Sequence, residues 1–521
     1  VDLSDNNIDG RSITALVRAL RWKRRPKFTR QVSKVILRNN ALDVDTMRSL
    51  ATIWDHEDAE PHVDEELQAI HEAGVDSQDD HCEVGVSHLD VSHNAKIGDE
   101  GVDILCTGIS KFHHFQVLRA DTIGLGPVGC QSLAHLGQTQ LGLLNVSNNA
   151  IGSEGASIVC QAALLCHHLH TLVLDSCSID RAAAKSISDL LEHHSSLRNI
   201  SLNHNSLGNE GVSGLCAGAA ESNCLKSVHF AYNGAVSEAA AEAIAEMMRK
   251  CESLLEMNLS GNHFDASGVA HIGGAIEHSR VLTMLLEDMG LTESTVDEFV
   301  DHGSAATQDL QVMILNKNPV GDEGLAIIAE CLSIGLTDLF LSRCNLTAAS
   351  QATLLNLVSL SPNLRTLDLS YNNLGPNGCA DMIKWMTQNE KENFSLRSLE
   401  LAGCNLGDDG FYQLVPVLGS LTYVGAKDNG ITSSGLIAVM NSQKMIQLRC
   451  LDLAQNKIGE QGVDALTERF QQEHKRSLWN PKQLTSTIDT VILSDNAITS
   501  GLAASTEAFL KIHNPLLTVV W

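Results

Sequence analysis

The stretch Leu364 to Met386, LRTLDLSYNNLGPNGCADMIKWM, carries in one copy the hydrophobic and polar pattern that recurs along the chain. Leu367 and Leu369 alternate with Asp368 and Ser370, and Leu374 follows, which predicts a short strand with one buried and one wet face. Asn372 stands at the strand end, where its amide can donate to and accept from backbone groups of its own turn and of neighbouring turns. Gly375, Pro376 and Gly378 break the strand, and Ala380, Met382, Ile383 and Met386 recur at helical spacing. One unit is predicted to be strand, turn, helix.

Seventeen imperfect copies place the turn residue at Asn6, Asn40, Asn94, Ile123, Asn149, Cys177, Asn205, Asn233, Asn262, Met289, Asn318, Cys344, Asn372, Cys404, Asn429, Asn456 and Asn496. From Ile123 to Asn372 the intervals are 26, 28, 28, 28, 29, 27, 29, 26 and 28 residues, tighter than chance matches to a leucine-rich pattern. Good copies are LDVSHNAKIGDEG, ISLNHNSLGNEG, MILNKNPVGDEG, LELAGCNLGDDG and LDLAQNKIGEQG.

The run of LxLxxN/CxL, then G-x-x-G and a helix, resembles the ribonuclease-inhibitor type of leucine-rich repeat over nearly the whole chain. The resemblance implies an α/β solenoid, a horseshoe or superhelix of about 17 repeats, with parallel strands on the concave face and helices on the convex face. Asn and Cys alternate from Asn318 to Asn429, as in the paired repeats of the inhibitor. At Asn205, Asn233 and Asn262 they do not, which speaks against a close relative of it.

A shared core between neighbouring repeats explains 521 residues better than several globular domains would. A net charge of −27 argues against the chain as a whole binding nucleic acid or an anionic membrane, and no apolar run reaches the ~20 residues of a span. The 14 cysteines show no disulfide framework. Several take the turn position or sit on apolar helix stripes, which favours an intracellular compartment. Val1 already reads as a strand residue and LLTVV, Leu516 to Val520, as a strand with no turn after it, so a longer protein or covered ends are expected.

Three segments depart from the period. Residues 1–54 hold two repeats and a basic segment, 11–38, with ten Lys/Arg and no acid. There Arg21, Trp22, Lys23, Arg24 and Arg25 are candidates for docking an anionic partner. Residues 55–85 form an acidic insertion read as a solvated loop. It has no Lys/Arg and no calcium-loop spacing. In the array of residues 86–521, rim insertions fall at 387–395 and 471–487, and Arg476 and Trp479 in the second are candidate contact residues.

The strands are expected to expose Glu287, Asp288, Glu400 and Asp428 on the concave face, with Tyr232, Phe340, Arg343 and Tyr371 as energetic anchors for a protein partner. His113-His114, His167-His168 and His193-His194 recur where a helix hands over to a strand. Capping of the helix end explains them better than a metal site does, including at Cys166, His167, His168 and His170. No nucleophile elbow, metalloprotease helix, phosphate-binding loop or C-x-x-C pair is present, and no cofactor or small-molecule substrate is expected.

The preferred reading is a non-catalytic protein-interaction scaffold within a larger intracellular assembly, of the ciliary or other cytoskeletal kind. Similarity to the repeats of Ran GTPase activators leaves an activator open, with Arg11 or Arg38 supplying charge. Similarity to the ribonuclease inhibitor leaves an inhibitor of a basic enzyme.

Overall fold

Each strand is three residues long because the pattern supplies three extended positions before the turn. In Thr366–Asp368, Leu367 is buried and its two neighbours are half-buried. The computed structural model describes residues 1–22, 32–55, 85–301, 309–332, 335–389, 394–442, 447–479, 488–513 and 517–521. They fall into two units, Val1–Gly234 with Lys250–Leu254, and Ala235–Arg249 with Leu255–Trp521.

The N-terminal unit holds β1 (Lys34–Ile36), β2 (His88–Asp90), β3 (Val117–Arg119), β4 (Leu143–Asn145), β5 (Thr171–Val173), β6 (Asn199–Ser201) and β7 (Ser227–His229). Each pairs parallel with the next. The first copy of the repeat is reduced to an isolated bridge from Asp2 to Ile36. Although 54 residues separate the turn residues Asn40 and Asn94, Lys34 pairs with His88 and Ile36 with Asp90 as in any other repeat. Trp54 explains how the register survives. Its indole is fully buried, packs edge-on against Phe115 at 5.8 Å, and donates from Nε1 to the Val86 carbonyl at 3.1 Å. The chain is therefore tied down on both sides of the acidic insertion, of which residues 56–84 lie outside the described residues.

The C-terminal unit continues the scheme with β8 (Glu256–Asn258), β9 (Thr283–Leu285), β10 (Val312–Ile314), β11 (Asp338–Phe340), β12 (Thr366–Asp368), β13 (Ser398–Glu400), β14 (Tyr423–Gly425), β15 (Cys450–Asp452), β16 (Thr490–Ile492) and β17 (Thr518–Val520). These strands too are parallel and paired in sequence order. Both units are leucine-rich-repeat solenoids in which each strand from β1 to β16 is followed by a helical segment on the far side of the core.

The core lies between the strand row and the helix row. In the helix Gly152–Leu165 the buried residues Ala156, Val159, Cys160 and Ala163 form one stripe at i, i+3, i+4 and i+7. After β3 the helix is replaced by a ten-residue 3₁₀ segment, Gly129–Gln138. This repeat is 26 residues long. Ten residues at the 3₁₀ rise of ~2.0 Å span ~20 Å, where an α-helix would span ~15 Å, so a short repeat still covers the core.

The insertion at 471–487 was expected as a rim loop. Instead, the helix Glu460–Trp479 runs on through its first half, and residues 480–487 lie outside the described residues. The helix former run QQEHKR favours this continuation. At the 387–395 insertion, Thr387 and Gln388 belong to the helix Ala380–Gln388, and residues 390–393 lie outside the described residues.

Twelve of the cysteines among the described residues are free. Burial pushes the thiols of Cys160 and Cys177 up to about 12, so both act as small apolar groups. No described helix is long and apolar enough to cross a membrane.

Candidate functional site

The turn residue fixes the geometry of the exposed face. Asn372 is buried, and its Nδ2 donates to the carbonyls of Leu369 and Leu341, both at 2.8 Å. Its Oδ1 accepts from the backbone N–H groups of Cys344 at 2.9 Å and Leu346 at 3.0 Å. One amide thus satisfies four backbone groups in two repeats, as expected from the sequence. Asn149 and Asn205 do the same in the N-terminal unit. Where Cys344 takes this position, its thiol donates to the Leu315 carbonyl at 3.2 Å.

With the turn residue directed inward, whether Asn, Cys344 or Met289, the preceding residue takes the left-handed backbone region. His93, His204 and Tyr232 in the N-terminal unit have φ of 57°, 54° and 54°. Asp288, Lys317, Arg343, Tyr371 and Asp428 in the C-terminal unit have φ between 54° and 60°. For residues with a Cβ this costs about 1–2 kcal/mol each, which the buried amide ladder offsets. Each of these repeats therefore presents one side chain in the same strained setting at the C-terminal end of its strand.

Side chains in this column interact between neighbouring repeats. In the C-terminal unit the Arg343 guanidinium lies 4.6 Å from the centre of the Tyr371 ring. Tyr371 is 41% exposed, and in the next repeat Gly403 stands where any Cβ would come within 2.5 Å of its ring. In the N-terminal unit the rings of His204 and Tyr232 stack at 4.6 Å and 7°.

The strands add a second column. Asp368, Glu400, Gly425 and Asp452 are in register across β12 to β15. Glu400 leans over Gly425, where a Cβ would collide with its carboxylate, and Oε2 accepts from the Tyr423 hydroxyl at 2.7 Å. Burial raises the Glu400 carboxyl above its ordinary value. Asp368 and Asp452 push the same way and the Tyr423 hydroxyl opposes them. Tyr423 is itself pushed up by burial and by this carboxylate. Phe340 is in register with Asp368, and Lys317 pairs with Glu287 at 2.6 Å.

The anchors expected from sequence are thus distributed as follows. Phe340, Arg343, Tyr371, Glu287, Asp288, Glu400 and Asp428 lie on the strand side of the C-terminal unit, and Tyr232 lies on that of the N-terminal unit. Arg21 and Trp22 end the helix Gly10–Trp22, while Lys23, Arg24 and Arg25 lie outside the described residues. Arg476 and Trp479 fall in the last turns of the helix Glu460–Trp479. Arg11 is the second residue of the first helix, and Arg38 contacts the His93 ring, Nη2 to Nε2, at 2.6 Å.

Sequence reasoning missed Tyr423 and Gly425. A glycine at a strand position that elsewhere carries a side chain was the available signal.

The pair His193-His194 serves helix ends. His193 Nδ1 bonds the Asp189 carbonyl at 2.9 Å. His194 is buried, with Nε2 at 3.2 Å from the carbonyls of Ala163 and Cys166 and Nδ1 accepting from the N–H groups of Ser196 and Leu197. That set of partners fixes a neutral ring protonated on Nε2. Among the described residues no three His, Cys, Asp or Glu side chains are placed to hold a metal ion.

The family model "Leucine Rich repeat" matches residues 86–106, 143–160, 193–216, 360–382, 392–414 and 446–466. The chain is similar to the ribonuclease inhibitor of Mus musculus, 25% identical over 302 residues, covering 56% of this chain and 66% of the inhibitor. The Sus scrofa ribonuclease inhibitor is 26% identical over 401 residues, 69% of this chain and 87% of that protein. NACHT, LRR and PYD domains-containing protein 12 of Mus musculus is 28% identical over 327 residues, 60% of this chain but only 30% of that protein. A solved structure of the yeast Rad7 and Elc1 complex aligns over 81% of this chain and 88% of that one, with 15% identity and a TM-score of 0.46.

Proposed function

We propose that this leucine-rich-repeat protein of the ribonuclease-inhibitor type is a non-catalytic scaffold whose C-terminal unit grips a protein partner with its strand face. The observation that carries this reading is the Arg343–Tyr371 pair. It is an exposed aromatic ring held in place by a guanidinium on one side and by the absence of a Cβ at Gly403 on the other. Arginine and tyrosine held in advance of binding lose little side-chain entropy when a partner covers them. We place the protein in a larger cytoplasmic assembly of the cytoskeletal or ciliary kind. Twelve free cysteines suit a reducing compartment.

The test is purification of the tagged full chain with its partners in low and in high salt, for the wild type, Tyr371→Ala and Glu400→Lys. The reading expects a defined set of proteins, subunits of one complex, that the wild type retains and both variants lose. Retention of the same set by both variants would end it.

A second reading, inhibition of a basic enzyme, draws on the carboxylates of Asp368, Glu400 and Asp452 in one register column and on the similarity to two ribonuclease inhibitors. Failure to slow a panel of cationic ribonucleases at micromolar concentration removes it.

A further inference from the structure

In the N-terminal unit the strand face has a different character. The register of β1, β2 and β3 sets Lys34 beside His88, and Asp90 beside Arg119. Lys34 and Arg119 are exposed, and Lys34 lies close enough to Asp2 to help lower that carboxyl's pKa. Next to them, at the C-terminal ends of the strands, Arg38 is exposed and reaches the His93 ring at 2.6 Å, and His93 in turn lies 3.3 Å from an Asp121 carboxylate oxygen. Strands ~4.8 Å apart and rising ~3.3 Å per residue set the Cα atoms of Lys34 and Arg119 ~12 Å apart. Three cations, with two histidines between them, therefore fall within the reach of one short ligand, on a chain whose net charge is −27. Lys34 and Arg38 also close the basic run that starts at Arg11.

We propose that Lys34, Arg38 and Arg119 form a docking site for an acidic polypeptide segment of a partner. This site is separate from the Arg343–Tyr371 surface and stands or falls without it. Charge complementarity selects the class of occupant. An acidic peptide can set its carboxylates over Lys34, Arg38 and Arg119 while keeping them clear of Asp90 and Asp121. A nucleic-acid backbone, with a phosphate on every residue, would run its charge over both of those carboxylates.

The direct test is fluorescence anisotropy of a labelled twelve-residue peptide, in which Glu alternates with Ser, titrated with the full chain at 50 mM and 300 mM NaCl. The site requires saturable binding at low salt that weakens at least tenfold at high salt. The double variant Lys34→Glu, Arg119→Glu is expected to bind at least tenfold more weakly than wild type, and Tyr371→Ala as tightly as wild type.

Zero-length carbodiimide coupling of the same peptide to the wild-type chain, mapped by mass spectrometry, does not depend on how the double variant folds. It should join a peptide carboxylate to Lys34. No saturable binding, unchanged binding by a folded double variant, or coupling that bypasses Lys34 would each overturn the proposal. Displacement of the peptide by an oligothymidylate of equal charge, at equal or lower concentration, would overturn the choice of a polypeptide.

Discussion

The two units use the same backbone to build different faces. In both, a strand of three residues ends in a buried amide or thiol, and the residue before it takes a φ near +55°. On the N-terminal unit the outward positions of strand and turn carry Lys34, Arg38 and Arg119 with Asp90, Asp121 and several histidines. On the C-terminal unit they carry Asp368, Glu400 and Asp452 with Arg343 and Tyr371. The lesson is a division of labour within each repeat. Buried leucines and turn amides hold the scaffold in either unit, while the outward positions are free to differ and set what each face can bind.

The largest effect should come from breaking what the units share. Asn372→Ala leaves the N–H groups of Cys344 and Leu346 and two carbonyls without their partner, a loss of roughly 3–5 kcal/mol. Asn205→Ala, which strips the equivalent bonds in the N-terminal unit, should cost about as much. Urea denaturation checks both, and a much smaller loss in either unit would show that the amide ladder does not hold that scaffold.

Next comes a change confined to one face. Tyr371→Ala should weaken partner binding by roughly 2 kcal/mol, or about thirtyfold, with stability unchanged within ~0.5 kcal/mol. Tyr232→Ala, at the same repeat position of the other unit, should leave that binding alone. Titration calorimetry with the purified partner separates them.

Gly403→Ala acts on both levels. It strains a φ of +63° by about 1–2 kcal/mol and pushes the Tyr371 ring off its seat, so stability and binding should fall together.

The smallest effect is a pH dependence set by two histidines of the N-terminal unit. Burial holds the His194 pKa below its ordinary 6.5, against the pull of its bonds to Cys166 and Ala163. His88 is likewise lowered, by burial and then by Lys34. The unfolded chain then binds more protons than the folded one just below pH 6.5. Stability is fully present above that pH and declines as the pH falls through it toward the folded-state values. Thermal melts of wild type and His194→Gln between pH 7.5 and 5 should show the shallower slope in the variant. Equal slopes would remove His194 from the account.

Much of this was legible along the chain. Leu367, Leu369, Met382, Ile383 and Met386 are buried because period 2 and period 3.6 are properties of local sequence. The reach of Asn372 into the neighbouring turn was legible as well, since a buried amide must find donors and acceptors. The left-handed column was not, because Tyr371, Arg343 and Lys317 have no intrinsic preference for positive φ and take it from the turn that follows. Glu400 and Tyr423 meet across repeats, so their bond becomes visible only once the strand register is known. The helix through Trp479 was obscured because a break in the repeat period looks the same whether a helix lengthens or a loop emerges.

The central claim is that the strand face of the C-terminal unit holds the partner. Its most direct test is quantitative mass spectrometry of proteins retained by the full chain carrying Tyr371→Ala, Glu400→Lys or Tyr232→Ala, each against wild type. The account expects one set of proteins to be lost with the first two variants and kept with the third. Equal retention by all three, or loss with Tyr232→Ala alone, would contradict it.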